Sequence, residues 1–447
     1  MLTKIVTFFK TGPDKPLLTD QGMIKKIYER KRWSVFISLV IGYGFFYTCR
    51  LSLSVAKKQM IDAGVVDVTE LGIIGAVLLY VYAIGKFING FLADRANIQR
   101  FMSIALLLSA VVNLLFGLTT YFMLFVILWG MNGWFQSIGS APSVVSLCQW
   151  FSNNERGTRY GIWAGAHNIG EGLTFIGTSF LVGALGWSWG FIGPGIACII
   201  IAVIMYRTLA DRPQTYGLPH VSDYKNDYSA GKPTKESTGK LQLIVLKSPI
   251  VWVLGLSSAL MYVTRYAIHS WGPLYLQEMK NYSIVEAGFL IGANTMLGLA
   301  GAMFSGFFSD RFFNSRRNVP TLLYGLLLTG SLILLYLIPP GNYWLDMIAL
   351  GGFEFAIGGL IVFLAGLIAV DVMPTGAAGA VKGIIGLFSY IGAATQDWIS
   401  GYLISSGKTI IDGKAIYNFD YAFYFWIGAS VLSFILATTV WNVRAHE

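Results

Sequence analysis

Gly90-Phe91-Leu92-Ala93-Asp94-Arg95 closes one long apolar run, and Gly306-Phe307-Phe308-Ser309-Asp310-Arg311 closes another 216 positions later. A second pair of landmarks repeats at nearly the same offset: Arg50 and Arg265, 215 positions apart, each stand inside an apolar stretch. Two independent features recurring at one spacing indicate two copies of a unit in the same orientation. In a membrane that means parallel halves related by an axis along the membrane normal. The two arginines are then expected to face each other across a central cavity near the midplane.

Around these landmarks, apolar segments of spanning length run over 34–56, 71–93, 101–121, 123–151, 158–184, 187–209, 249–278, 285–309, 319–338, 344–370, 376–404 and 421–443. The runs are continuous rather than short and alternating, so they predict twelve helices and not a strand barrel. The 447 residues are 55% hydrophobic and 12% charged, with a mean hydropathy of +0.61, which excludes an ordinary soluble fold. The 51 glycines suit helices that approach closely in lipid. The expected architecture is an all-α membrane protein of two pseudo-symmetric six-helix halves. A lead-in covers 1–33, the halves cover 34–209 and 248–443, and a polar loop rich in Lys, Asp, Ser, Gly and Pro joins them over 210–247.

Of the 32 Lys and Arg, 23 fall on the side of both termini and the long loop, whereas Lys57, Lys58, Lys280, Lys408 and Lys414 fall on the other. The excess of basic residues on the first side predicts that both termini are cytoplasmic. The net charge of +9 is thus a topology signal, and nucleic acid is not an expected partner. Residues 1–33 lack the apolar core of a cleavable signal peptide. Cys49, Cys148 and Cys198 and the four scattered histidines show no metal-ligand or disulfide spacing, so no cofactor is expected. No Gly-x-x-x-x-Gly-Lys-Ser/Thr run is present, so a carrier driven by solute gradients, not an enzyme or an ATPase, is expected.

Four basic residues remain in the interior of the spans, Arg50, Lys86, Arg265 and Lys382, whereas Arg159 and Arg207 fall within two residues of a span end and are counted with the basic side. Each of the four costs about 2.5 to 3.5 kcal/mol at a helix centre, on the order of 10 kcal/mol together, so an anion should justify them. A guanidinium binds phosphate through a planar fork and keeps its charge at any physiological pH, so a facing pair can hold one phosphoryl group from both halves. The alternatives stay open. Each arginine could pair with a buried carboxylate, with Glu171, Glu354 and Asp397 available; Lys86 could pair with Asp94; His167 could pack against a carbonyl. Tyr43, Tyr47, Tyr82, Tyr262, Tyr266 and Tyr390 could bind sugar hydroxyls or serve in helix packing. An unperturbed imidazole titrates at about 6.5, near the second ionisation of a phosphate monoester at about 6, so both can change charge in the working range.

Over nearly its whole length the chain resembles the organophosphate:phosphate antiporters of the major facilitator superfamily. The resemblance rests on an ordered set: Gly42-Tyr43, Tyr47 and Arg50; Tyr82 and Lys86-Phe87; Phe135-Gln136; Glu155-Arg156-Gly157; Ala166-His167-Asn168 and Gly170; Gly217-Leu218-Pro219; Tyr224-Lys225-Asn226-Asp227-Tyr228; Tyr262, Arg265-Tyr266 and Trp271. It implies exchange of an organophosphate for inorganic phosphate. Residues matching Arg50 and Arg265 would clasp the phosphoryl group, the one matching His167 would assist, and the one matching Lys86 would tune the field. Asp94-Arg95 and Asp310-Arg311 resemble the superfamily's gating loops.

Three positions depart from the family pattern. Lys382 is followed by Ile385 where hexose-phosphate members have an Asp and a Lys three residues apart; Glu171 replaces a glycine one turn after His167; and Ser140-Ala141-Pro142-Ser143 differs from the Trp-Pro-Pro of several relatives. Hexose 6-phosphate is the leading expected substrate, followed by glycerol 3-phosphate, then phosphoglycerate or phosphoenolpyruvate, which the extra charge of Lys382 would suit. The expected setting is the bilayer of a bacterial inner membrane, as a monomer. A receptor that reports external sugar phosphate to a sensor histidine kinase is the alternative of a different class.

Overall fold

The computed structural model describes residues 7–227, 245–313, 317–364, 378–411 and 414–439. Tyr228, most of the central loop, Arg316, the end of the tenth expected span, the first residues of the eleventh and the side chain of Asp310 lie outside them. Helices occur at each of the twelve expected spans: α1 (Gln21–Asp62), α2 (Val68–Ala93), α3 (Ile98–Gly117), α4 (Phe122–Trp150), α5 (Asn153–Leu185), α6 (Trp189–Thr208), α7 (Pro249–Glu278), α8 (Ile284–Phe312), α9 (Asn318–Leu337), α10 (Tyr343–Val362), α11 (Ala378–Ser406) and α12 (Asp420–Thr439). A short antiparallel hairpin, β1 (Thr409–Ile411) with β2 (Lys414–Ile416), joins α11 to α12. Among the described residues, ten helices are long and apolar enough to cross a membrane by composition alone. The other two, α5 and α11, carry His167 and Glu171 or Lys382, Gln396 and Asp397 on their faces, and both lie on the seam between the halves.

Capping chemistry carries the duplication into three dimensions. Asp67 and Glu70 form a reciprocal capping box that opens α2, and Ser283 with Glu286, 216 positions on, does the same for α8. Two residues past each box's glutamate, a glycine permits a close crossing. A Cβ on Gly72 would lie 2.8 Å from the Asp397 carbonyl oxygen, and one on Gly288 would lie 2.6 Å from that of Phe175. The first lets α2 meet α11 and the second lets α8 meet α5, so the two seams are built alike.

α1 exceeds its expected span at both ends. Asp20 caps it by accepting from the backbone of Gly22 and Met23, and at the other end the helix runs through Lys57 and Lys58 to Asp62. The two lysines are therefore helical, not loop residues, and Lys57 is fully buried, as is Lys280. Lys280 contacts the Ile338 carbonyl and lies 3.1 Å from Asp346. The face where α1 begins, the near face here, is tied together by polar contacts. Asp211 accepts from Thr11, Gly12 and Asn97, which docks the lead-in on the turn between α2 and α3. Arg32 pairs with Glu155 at 2.6 Å, Tyr28 stacks on Tyr224, and the backbone of Asn154 donates to Asp227. The Glu155 and Tyr224–Asp227 motifs are thus joints that hold the start of the central loop to the N-terminal half.

Candidate functional site

Arg50 is placed by its neighbour. The Cys49 carbonyl accepts from Asn113 Nδ2 of α3 at 3.0 Å and from Asn132 Nδ2 of α4 at 2.8 Å. Asn132 in turn accepts from Ser109, whose hydroxyl accepts from Gln136. These groups are buried and each must find a partner, so the network fixes the roll of α1 one residue before Arg50. Gln136 of the Phe135-Gln136 pair has this role. The buried Arg50 guanidinium lies 4.1 Å from the Tyr47 ring centroid and 5.3 Å from that of Tyr82. Among the described residues no carboxylate comes within ion-pair distance of Arg50, and its Nε has no hydrogen-bond partner.

The second half presents the same device. Tyr262 stands 215 positions after Tyr47, and Arg265 follows it by three, as Arg50 follows Tyr47; residues three or four apart share a helix face. Arg265, also buried, lies 5.8 Å from the ring centroids of both Tyr262 and Tyr266. Tyr390 of α11 joins the two sets, with ring centroids 4.5 Å from Tyr82, 5.5 Å from Tyr262 and 6.4 Å from Tyr266. Lys86 Nζ sits 5.0 Å over the Tyr390 ring. On the other flank Tyr47 contacts Tyr43 and the His167 ring at 5.6 and 5.7 Å, and Trp163 backs Tyr43 at 4.5 Å. Thus Arg50, Lys86, His167, Arg265 and the six tyrosines form one cage contributed by α1, α2, α5, α7 and α11. Cations held over rings and flanked by phenolic hydroxyls suit an anion that carries its own hydroxyls.

Other expected site residues fall elsewhere. Lys382 is exposed and lies eight residues before Tyr390, about 12 Å along α11; the ring contacts of the cage do not include it. Asp94 and Arg95 are exposed at the end of α2, where the Arg95 carbonyl accepts from the Thr11 backbone. Arg311 is exposed at the end of α8. Lys86 does not pair with Asp94 and meets Tyr390 instead. His167 Nδ1 contacts the Ala164 carbonyl of its own helix and keeps its ring against Tyr47.

One arginine has a counter-ion. Arg265 Nη2 lies 2.9 Å from Glu171 Oε1, so the carboxylate alternative holds for Arg265 and not for Arg50. Glu171 Oε2 faces His269 Nδ1 at 3.8 Å, and His269 Nε2 is 2.7 Å from Glu354 Oε1. His269 lies one turn after Arg265, the one sequence signal that pointed to it; Glu354 carried none beyond being a buried carboxylate. Seven residues past Arg50, about 10 Å along α1, Lys57 donates to Ser270 at 2.8 Å, lies 3.7 Å from Asp397 and sits over the Trp271 ring. Lys58 pairs with Glu278, and Gln59 donates to Gln277 at 2.7 Å. These contacts close the halves against each other on the far face.

Residues 36–395 match the family model described as Major Facilitator Superfamily, so the fold is that of a multi-pass membrane transporter. The chain is 31% identical to a "Probable hexose phosphate transport protein" of Chlamydia pneumoniae, over 97% of this chain and 96% of that one. It is 33% identical to a "Glycerol-3-phosphate transporter" of Bacillus subtilis, over 98% of each. It is 32% identical to the "Membrane sensor protein UhpC" of Salmonella typhimurium, over 88% of this chain and 90% of that one. The chain belongs to the organophosphate:phosphate antiporter family of that superfamily. In fold it is similar to a bacterial homologue of the human lysosomal transporter Spinster in an inward-facing, unoccupied conformation, with a TM-score of 0.74 at 16% identity, over 93% of this chain and 99% of that one.

Proposed function

We propose that the protein carries an organophosphate across the membrane in exchange for inorganic phosphate, with hexose 6-phosphate as the preferred substrate. The observation that carries this reading is the repeat-related pair Arg50 and Arg265 within a single tyrosine cage drawn from both halves. A phosphoryl group held by both guanidiniums bridges the halves, and the polyol hydroxyls meet the phenols. Anion binding then favours the occluded geometry through which the halves rock, because a ligand shifts a conformational equilibrium by its differential affinity for the states. Opposing gradients of the two anions supply the driving force. In this reading the near face is cytoplasmic in a bacterial inner membrane, and the far-face contacts of Lys57, Lys58 and Gln59 close the outer entrance.

The test is counterflow. Proteoliposomes loaded with phosphate receive labelled phosphate outside, with glucose 6-phosphate, glycerol 3-phosphate and phosphoenolpyruvate as competitors. Exchange with glucose 6-phosphate as the strongest competitor is the expected result; another winner reassigns the substrate. The similarity to a protein named as a membrane sensor favours one second reading, a receptor that binds sugar phosphate and signals to a histidine kinase. Folded protein that binds ligand without flux would establish that reading instead.

A further inference from the structure

The two arginines of the cage differ in one respect. Arg50 has no carboxylate partner among the described residues, whereas Arg265 is already occupied by Glu171. The pair becomes equivalent only when that carboxylate lets go. Glu171 is 1% exposed, and its second oxygen, Oε2, is buried with no hydrogen-bond partner. On that side His269 Nδ1 lies 3.8 Å away, on a ring whose other nitrogen is held by Glu354 at 2.7 Å. Arg50 and Tyr47 from α1 and His167 from its own helix also face Glu171. From α8, Thr295 reaches the same level of α5 and donates to the carbonyls of Gly292 and Asn168.

We propose that Glu171 is a built-in competitor for the phosphate site, and that substrate binding displaces it from Arg265 with uptake of one proton; this rests on the organophosphate reading above. A phosphoryl oxygen replaces Glu171 Oε1 at Arg265 Nη2. Two like charges cannot both stay beside one guanidinium in a water-poor cavity without penalty, which favours the neutral acid. The proton comes from solution and forms the acid O–H on Glu171 Oε2, the oxygen that faces His269 Nδ1. The balance is one anion bound and one proton taken from solution, with nothing oxidised or reduced. His269 remains hydrogen-bonded to Glu354 throughout, which keeps its Nδ1 beside Glu171 Oε2. The protein thereby couples anion binding to a proton in addition to the exchanged phosphate.

The experiment is titration calorimetry of the full-length protein with inorganic phosphate, in two buffers of different ionisation enthalpy, at about pH 8.5, where phosphate is largely the dianion. Wild type should take up about one proton per phosphate bound, since one linked group contributes at most one. Glu171→Gln should take up none and bind phosphate more tightly, by on the order of tenfold. A residue that merely holds Arg265 in place has the opposite sign, because its loss weakens binding. Wild-type binding without proton uptake, or weaker binding by folded Glu171→Gln with the proton count unchanged, overturns the proposal and leaves the phosphate site standing. If Glu171→Gln does not fold, Glu171→Ala supplies the comparison, because phosphate bound as the monoanion would also take up a proton and only a count that falls on loss of Glu171 supports the proposal. Failure of wild type to bind any phosphate overturns the organophosphate reading itself.

Discussion

Arg265 Nη2 lies 2.9 Å from Glu171 Oε1, while Arg50, its counterpart in the other half, rests on the rings of Tyr47 and Tyr82. The duplication therefore preserved the cation and its tyrosine but not its charge balance.

That asymmetry separates stability from transport. Arg265→Ala leaves Glu171 buried and uncompensated and should destabilise the protein by about 3–5 kcal/mol. Arg50→Ala removes an unpaired buried charge and should leave the melting temperature unchanged or raised. Both should abolish phosphate exchange. Thermal unfolding beside proteoliposome flux checks the pair, and equal loss of stability in both variants contradicts the assignment.

Arg50→Lys keeps the charge but loses the planar fork. Exchange should fall by about 10- to 100-fold, the loss expected for one or two charge-assisted hydrogen bonds. Initial rates at saturating internal phosphate measure this, and a variant at wild-type rate would exclude bidentate binding at Arg50.

Asp397→Asn leaves Lys57 buried beside Ser270 without its carboxylate. The expected loss is about 3–5 kcal/mol, with part of it recovered in the Lys57→Met, Asp397→Leu double variant, because an apolar pair needs no counter-charge. A double-mutant cycle of unfolding free energies over Lys57→Met, Asp397→Leu and their combination reads the coupling; additive effects would show that the two residues do not interact.

The matched seams make a prediction about mechanism. Leucine at Gly72 or Gly288 puts atoms where a Cβ alone would already meet backbone oxygens at 2.8 and 2.6 Å. Each should slow exchange and lower stability by about 1–3 kcal/mol. Gly90→Ala, with nothing within 4 Å of the added Cβ, is the tolerated control on the same helix as Gly72.

Lys382 is exposed, two turns from the cage along α11. Lys382→Ala should retain phosphate self-exchange and change the order in which the three organophosphates compete. An unchanged order removes Lys382 from substrate choice.

Twelve spans, the duplication and the candidacy of the ten cage side chains were legible in the linear chain, although Lys382, read with them, stands outside the cage. In lipid each span must satisfy its own backbone, so hydrophobicity is written in continuous local runs. The cage follows local rules as well: Tyr43 with Tyr47, Tyr82 with Lys86 and Tyr262 with Tyr266 are each one turn apart, so each pair shares a helix face. What only the tertiary structure decided is which polar groups meet. Glu171, Glu354 and Asp397 were equal candidates for Arg50 and Arg265, yet Glu171 pairs with Arg265, Glu354 with His269 and Asp397 with Lys57. Lys57 read as a loop charge because its partners lie on other helices, and Lys280, in the loop after α7 as expected, is buried against Asp346 of α10. An ion pair depends on the packing and relative rotation of helices far apart in sequence. No local periodicity encodes that, so the charge balance of the site, unlike its membership, emerges only when the halves close.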